Sequence, residues 1–358
     1  MRTSLSQKML YCLSNATLLE LLLARQYYGV FMWMPDPDNE RRSMPISDFL
    51  DRMKDDDNRE QYQHIISALP PFLNEIKTNW LAIDGIPEIR IITNASANET
   101  ELRDIVNTVC LAEGLLERSL GVQSIAEKSL GTYNVPRPLG PLSVAKACIM
   151  WSCAHEIFHY LRRHALIEKH FGSTPETKHA LEFDADLCAA AAFYRYLQRF
   201  STKVPSIHLK KTAFRLLYFS LRINLAEENI KWAGSATHPH TAARLMDILS
   251  KLAMMHNTGV ADQNFEDPFS HLHLAKLTRL LIDLESHYPK ETENKTAPRA
   301  SEVIAFAKNN SNLEYTRARN SRWDEIQLLI NQFSMMPREA IDNEASIAFL
   351  GDVISVPR

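Results

Sequence analysis

The chain has 358 residues, of which 45 % are hydrophobic and only 10 are glycine, and its formal net charge is −3. That much apolar side chain can build a sizeable core, which excludes a disordered chain, and length alone allows two domains or one large domain with an extension. The slightly acidic balance leaves no basic footprint for nucleic acid.

Residues 1–34 read as a helix followed by a short strand around Gly29 to Met34. The apolar run Ala16 to Ala24 is interrupted by Glu20 and no small-residue cleavage site follows, so a signal peptide is not expected. Pro35-Asp36-Pro37-Asp38-Asn39 breaks the chain, and residues 40–63 form a charged surface region carrying a polar helix, with Arg41-Arg42 in solvent. Pro70-Pro71 breaks the chain again before a helix from Phe72 to Trp80. Glu88 to Thr93 is the best strand: short, β-branched and bounded by Pro87 and Asn94. A helix is expected from about Glu99 to Ser119, with Leu102, Ile105, Val109, Leu111 and Leu115 on its apolar face. Pro136 to Pro141 then stops the chain, with Pro141 suited to the first turn of the next helix.

That helix runs from about Leu142 to His170. Val144, Ala145, Ala147, Ile149, Met150, Trp151 and Ala154 leave almost no polar face, the mark of a buried central helix. The run is too short for a membrane span and contains Lys146, so no membrane span is expected. Polar groups first turn inward at His155-Glu156-Ile157-Phe158-His159, where unpaired polarity is costly. His155 and His159 lie roughly 40° apart on one helix face, so both imidazoles can grip one Zn²⁺. Glu156, roughly 100° round from His155, can act as a general base on water without becoming a ligand. Arg162, Arg163 and Lys169 return the helix to solvent and Gly172 ends it.

Ser173-Thr174-Pro175-Glu176 is a capping box that opens a second helix, to about Phe200. The small residues Cys188 to Ala192 allow it to approach the motif helix closely. Glu182 and Asp186 share one face, and Asp184 points to the other side. Glu182, His179 and Asp186 are rival third ligands. A core helix spans about Ser206 to Lys231. Thr237-His238-Pro239-His240-Thr241-Ala242-Ala243-Arg244 then opens a helix to about His256. From the residues alone, His238 and His240 read as solvated, and Arg244 as a surface ion pair. After a loop at 257–268, helices are expected at 271–285, 300–308 and 312–333, with a polar stretch at 286–300. The five cysteines, Cys12, Cys110, Cys148, Cys153 and Cys188, are odd in number with no C-x-x-C, which fits reduced, mostly buried thiols in a cytosolic protein. Cys148 lies two turns from His155 and reads as core.

H-E-x-x-H followed by E-x-x-x-D on the next helix resembles the gluzincin metallopeptidases, and T-H-P-x-T-x-x-R resembles their HtpX and CAAX-prenyl-protease branch. The resemblance implies one zinc per chain on His155, His159 and Glu182, with Glu156 as base. It also implies Asp186 as acceptor for a ligand histidine and Arg244 as orienter of a carboxylate near the metal. It favours His238 over His240 as the group over the oxyanion. Such enzymes commonly bind an extended peptide along an edge strand near the zinc helix; Glu88 to Thr93 and Gly131 to Val135 are the candidates, though each alone reads first as a structural strand. The overall layout also resembles the soluble Lit-type phage-exclusion peptidases of bacteria, which cleave a translation elongation factor. That resemblance implies a specific intracellular protein substrate and allows an activating protein partner.

The expectation is a mainly α protein with a small β-sheet (α+β), a zincin-like metallopeptidase core with extra helices. An N-terminal region spans 1–94, the catalytic core 95–257 and a C-terminal helical extension 258–358. The alternative is a non-enzymatic helical interaction protein with a structural or vestigial metal site. A structural zinc site normally has four protein ligands, and the motif offers three and an adjacent glutamate.

Overall fold

The computed structural model describes residues 42–80, 85–95, 100–103, 107–130, 143–200, 204–225, 241–255, 271–288 and 310–336. In chain order the elements are β1 (Ser43–Pro45), α1 (Ile46–Arg52), α2 (Asp56–Ile66), α3 (Leu69–Trp80), β2 (Glu88–Ile92), β3 (Glu101–Arg103), β4 (Thr108–Ala112) and α4 (Glu113–Leu130). They continue with α5 (Val144–Leu161), α6 (His164–Phe171), α7 (Pro175–Phe200), α8 (Ser206–Leu225), α9 (Thr241–Met254), α10 (His271–His287) and α11 (Asn310–Phe333). The protein is mainly helical with one small mixed sheet of order β1-β2-β4-β3, as the composition leads one to expect. No helix among the described residues is long and apolar enough to cross a membrane. The expected strands at 29–34 and 131–135, the N-terminal helix and the helix at 300–308 lie outside the described residues.

Two local expectations are corrected. Residues 99–119 are not one helix: β3 and β4 precede α4. Thr108-Val109-Cys110-Leu111-Ala112 is buried along its whole length, pairs parallel to β2 and antiparallel to β3, and follows Asn107 in the left-handed region at φ 48°. A strand covered on both faces shows a continuous apolar run rather than a period of two, and such a run mimics a buried helix. At the other break, Pro70 and Pro71 do not precede their helix but sit in the first turn of α3, where the missing N–H groups have no helical acceptor to lose.

Helix α5 is the centre of the molecule. Ser143 caps it by accepting from the Lys146 main-chain N–H at 3.2 Å. Ala147, Ile149, Met150, Cys153, Ala154, Ile157 and Phe158 have no exposed surface, because α4, α7, α8 and the sheet enclose the helix. Helix α7 begins at Pro175, with the Thr174 hydroxyl accepting from Thr177 N–H. Ala189 to Ala192 are fully buried, so with no long side chains between them α7 and α5 run close together and the Glu182 end of α7 reaches the His155–His159 end of α5. Helix α9 is held at its C-terminal end by the buried Lys210, whose Nζ donates to the carbonyls of Ala253 (3.1 Å) and Met255 (2.6 Å). A cation there satisfies terminal carbonyls and complements the helix dipole.

The expected continuous helix 142–170 is broken. Arg163 adopts left-handed φ 57°, ψ 39°, and α6 starts at His164. Arg162 is not in solvent: it is fully buried. Helix α11 packs into a second apolar cluster with α6 and α7, in which Trp323, Ile326 and Ile330 meet Ile167, Phe183 and Leu187. Beyond it, Met335 N–H donates to the Leu161 carbonyl at 2.7 Å, at the end of α5.

Candidate metal centre

Helix α5 turns two imidazoles to one side, and α7 brings a carboxylate against them. His155 Nε2 and His159 Nε2 are 3.1 Å apart. Glu182 straddles the pair, with Oε2 3.2 Å from His155 Nε2 and Oε1 3.3 Å from His159 Nε2. Ligand atoms about 2.0–2.1 Å from a tetrahedral ion stand about 3.3 Å from one another. One donor atom from each of the three residues lies within 4.8 Å of the others, close enough to share one ion, and these residues are the one candidate metal-holding group among the described residues. His179, a rival by sequence, instead faces the Tyr315 ring at 5.4 Å, and Asp186 sits behind the imidazoles. Cys148 is buried core.

Each histidine is held from behind at Nδ1, by a different device. Asp186 Oδ1 lies 2.9 Å from His155 Nδ1. Arg244, on the first turn of α9, donates to that same carboxylate through Nε at 2.7 Å and an Nη at 2.8 Å, while its guanidinium stacks over Trp151 at 5.3 Å. The resemblance gives Arg244 a carboxylate near the metal to orient, and these two bonds brace Asp186, the carboxylate behind His155.

The other device has no counterpart in the sequence reading. His159 Nδ1 lies 2.8 Å from Nδ1 of His164, and His164 Nε2 lies 3.0 Å from Asp184 Oδ2. Arg162 grips Asp184 with two bonds, at 2.7 and 2.9 Å, and donates to the Asn331 side-chain oxygen of α11 at 3.0 Å. On an unbroken helix, His164 would sit roughly 140° round from His159. The left-handed Arg163 bends the chain so that His164 turns back onto His159. A non-glycine residue in that region carries a cost, and the Arg163 guanidinium lies over the Tyr160 ring at 5.0 Å. The available signal was the small separation of His164 from His159, together with the fact that Asp184 faces away from Glu182.

Burial and these partners set the protonation of the site's own side chains. For His155, burial favours the neutral form, but Glu182 and Asp186 outweigh it and raise the imidazole to about 10. Burial would raise Glu182, yet His159 and His155 hold it well below the usual carboxylate range. Asp186 is likewise held low, against burial, by Arg244 and His155. Burial dominates at His164 and lowers it to about 4, which keeps the ring neutral beside Asp184. Burial also raises Glu156, opposed by His155 and His159 and by a main-chain hydrogen bond from Leu102 of β3. A carboxyl raised in this way binds a proton more readily than an exposed one, as a general base must.

The Leu102 contact places β3 beside Glu156. Within the described sheet β3 is an edge, whereas β2 has β1 on one side and β4 on the other. The sequence candidate Glu88 to Thr93 is therefore an interior strand of the described sheet, covered by β1 over Arg90 to Ile92. His238 and His240 lie outside the described residues.

The sequence model of the Peptidase U49 family matches residues 139–264, from just before α5 to beyond α9. The match covers the elements that carry His155, Glu156, His159, Glu182, Asp186 and Arg244, and it supports a peptidase. No curated protein and no solved structure matches the chain.

Proposed function

We propose that the protein is a zinc-dependent endopeptidase that cleaves a protein substrate inside the cell. The observation that carries this reading is the triangle of His155, His159 and Glu182 with Glu156 on the adjoining helix position. Three donors from two helices, with no fourth in the group among the described residues, match the arrangement of a catalytic rather than a closed structural site.

When bound, zinc supplies a Lewis acid that acidifies water and polarises the scissile carbonyl. The chain's own residues do the rest. Glu156 takes the proton of the attacking water and delivers it to the leaving amine nitrogen. Asp186 keeps the His155 proton on Nδ1, so that Nε2 presents a lone pair, and Arg244 fixes Asp186. β3, an edge strand of the described sheet, lies beside Glu156 and is the place for an extended peptide, held by main-chain hydrogen bonds whatever its side chains. His238 serves as the donor to the oxyanion. The buried thiols of Cys148 and Cys153 suit a reducing compartment.

Metal content of the purified chain tests the reading beside His155→Ala and Glu182→Ala, together with hydrolysis of a quenched fluorogenic peptide library. About one zinc in the parent, lost from both variants, with hydrolysis abolished by a chelator and restored by zinc, is the expected result. A parent that takes up no zinc when it is supplied would refute it.

A further inference from the structure

We propose that His164 is a positioning residue for His159: its imidazole fixes the ring angle and tautomer that turn His159 Nε2 toward His155 and Glu182, with Asp184 and Arg162 holding His164 in turn. The inference rests on the zinc-peptidase reading and deepens it.

A line of short contacts runs from Arg162 through Asp184 and His164 to His159. Asp184 is held by two guanidinium bonds from Arg162 and offers only acceptors, so the His164 nitrogen facing it, Nε2, carries a hydrogen. A ring that offers its Nε2 lone pair to a metal carries its hydrogen on Nδ1, and the Nδ1 of His164, 2.8 Å away with its own Nε2 turned to Asp184, is placed to accept it. With that acceptor behind it, His159 bears its hydrogen on Nδ1, and its Nε2 is left with the lone pair that a metal ligand requires.

The geometry is specific. His164 is 3 % exposed, its ring stands nearly perpendicular to that of His159 at 84°, and the left-handed Arg163 is what brings it there. The line ends on Arg162, which donates to Asn331, so the segment after α10 is tied to the rear of the candidate site. The two imidazoles are thus held by unlike acceptors. A carboxylate, Asp186, stands behind His155, whereas an imidazole, His164, stands behind His159.

The test is zinc affinity of the full-length protein, measured by competition with a chromophoric chelator. His164→Phe keeps an aromatic ring of similar width without the acceptor and is expected to weaken zinc binding roughly 10–100-fold. His164→Asn places an amide oxygen near the lost Nδ1 and is expected to recover part of that loss, which a packing role would not predict. Parent-like affinity in His164→Phe, or equal losses in both variants, would overturn the inference while leaving the peptidase reading intact. A parent that binds no zinc would instead overturn the reading itself. If His164→Phe does not fold, selective ¹⁵N-histidine NMR of the zinc-loaded parent decides: a nitrogen–nitrogen coupling between His159 Nδ1 and His164 Nδ1 supports the inference, and an unprotonated His159 Nδ1 refutes it.

Discussion

Replacing Arg162 with methionine removes a charge while keeping a long unbranched side chain in place. In the parent both partners are shut off from water, at 0 % and 3 % side-chain exposure for Arg162 and Asp184, and two bonds of 2.7 and 2.9 Å join them. An exposed ion pair contributes at most about 1 kcal/mol, but removing one partner of a buried pair strands the other charge and costs about 3–5 kcal/mol. Asn331 loses its donor as well. Against a total stability on the order of 5–15 kcal/mol, that loss is large. Urea unfolding of the zinc-free protein, followed by far-ultraviolet circular dichroism, reads it directly. Asp184→Asn combined with Arg162→Met leaves a neutral amide that still accepts from His164 Nε2, so the double variant is expected to lose less than the sum of the two single losses. A loss below about 1 kcal/mol for Arg162→Met would place the pair with the exposed ones and refute the reasoning from burial.

Glu156→Gln is expected to retain zinc, since the residue is not among the three donors, and to lose hydrolysis by about 10²–10⁴-fold; parent-like turnover would end its assignment as base. Arg244→Lys keeps the charge but cannot reproduce the two-pronged bond to Asp186, so zinc affinity is expected to fall roughly tenfold in the same chelator competition, and unchanged affinity would show that Asp186 needs no brace. The pH dependence of stability follows from Asp184. Burial would raise its carboxyl, but Arg162 and His164 hold it well below its ordinary value. A depressed carboxyl stabilises the fold above its unfolded pKa of about 3.9 and loses that contribution as pH falls. The stability difference between the parent and Asp184→Asn should therefore be flat from neutral pH to about pH 5 and shrink below about pH 4; a difference that shrinks above pH 6 would contradict it.

The amino-acid sequence by itself determined the centre of this protein. A helix with no polar face meets polar groups only at His155, Glu156 and His159, and the spacing of an α-helix puts both imidazoles on one side whatever surrounds it. The same period puts Glu182 and Asp186 of α7 on a common face, although the helix is capped by Thr174 and not by Ser173, whose hydroxyl turns to Glu168. These are local consequences of helical period, so they survive without knowledge of the partners. The tertiary structure decided what depends on contacts distant in sequence. Glu101–Arg103 and Thr108–Ala112 became strands because β4 is covered on both faces and pairs with β2 and β3, which no local period reveals. The same pairing made β2 interior and left β3 as the edge beside Glu156. Arg162 and His164 look like solvent-facing ends of a helix until Arg163 turns left-handed and Asp184 and Asn331 arrive from two other helices. Two of the partners of this group, Asp184 and Asn331, stand 22 and 169 residues from Arg162 along the chain, so only folding could assemble them behind His159.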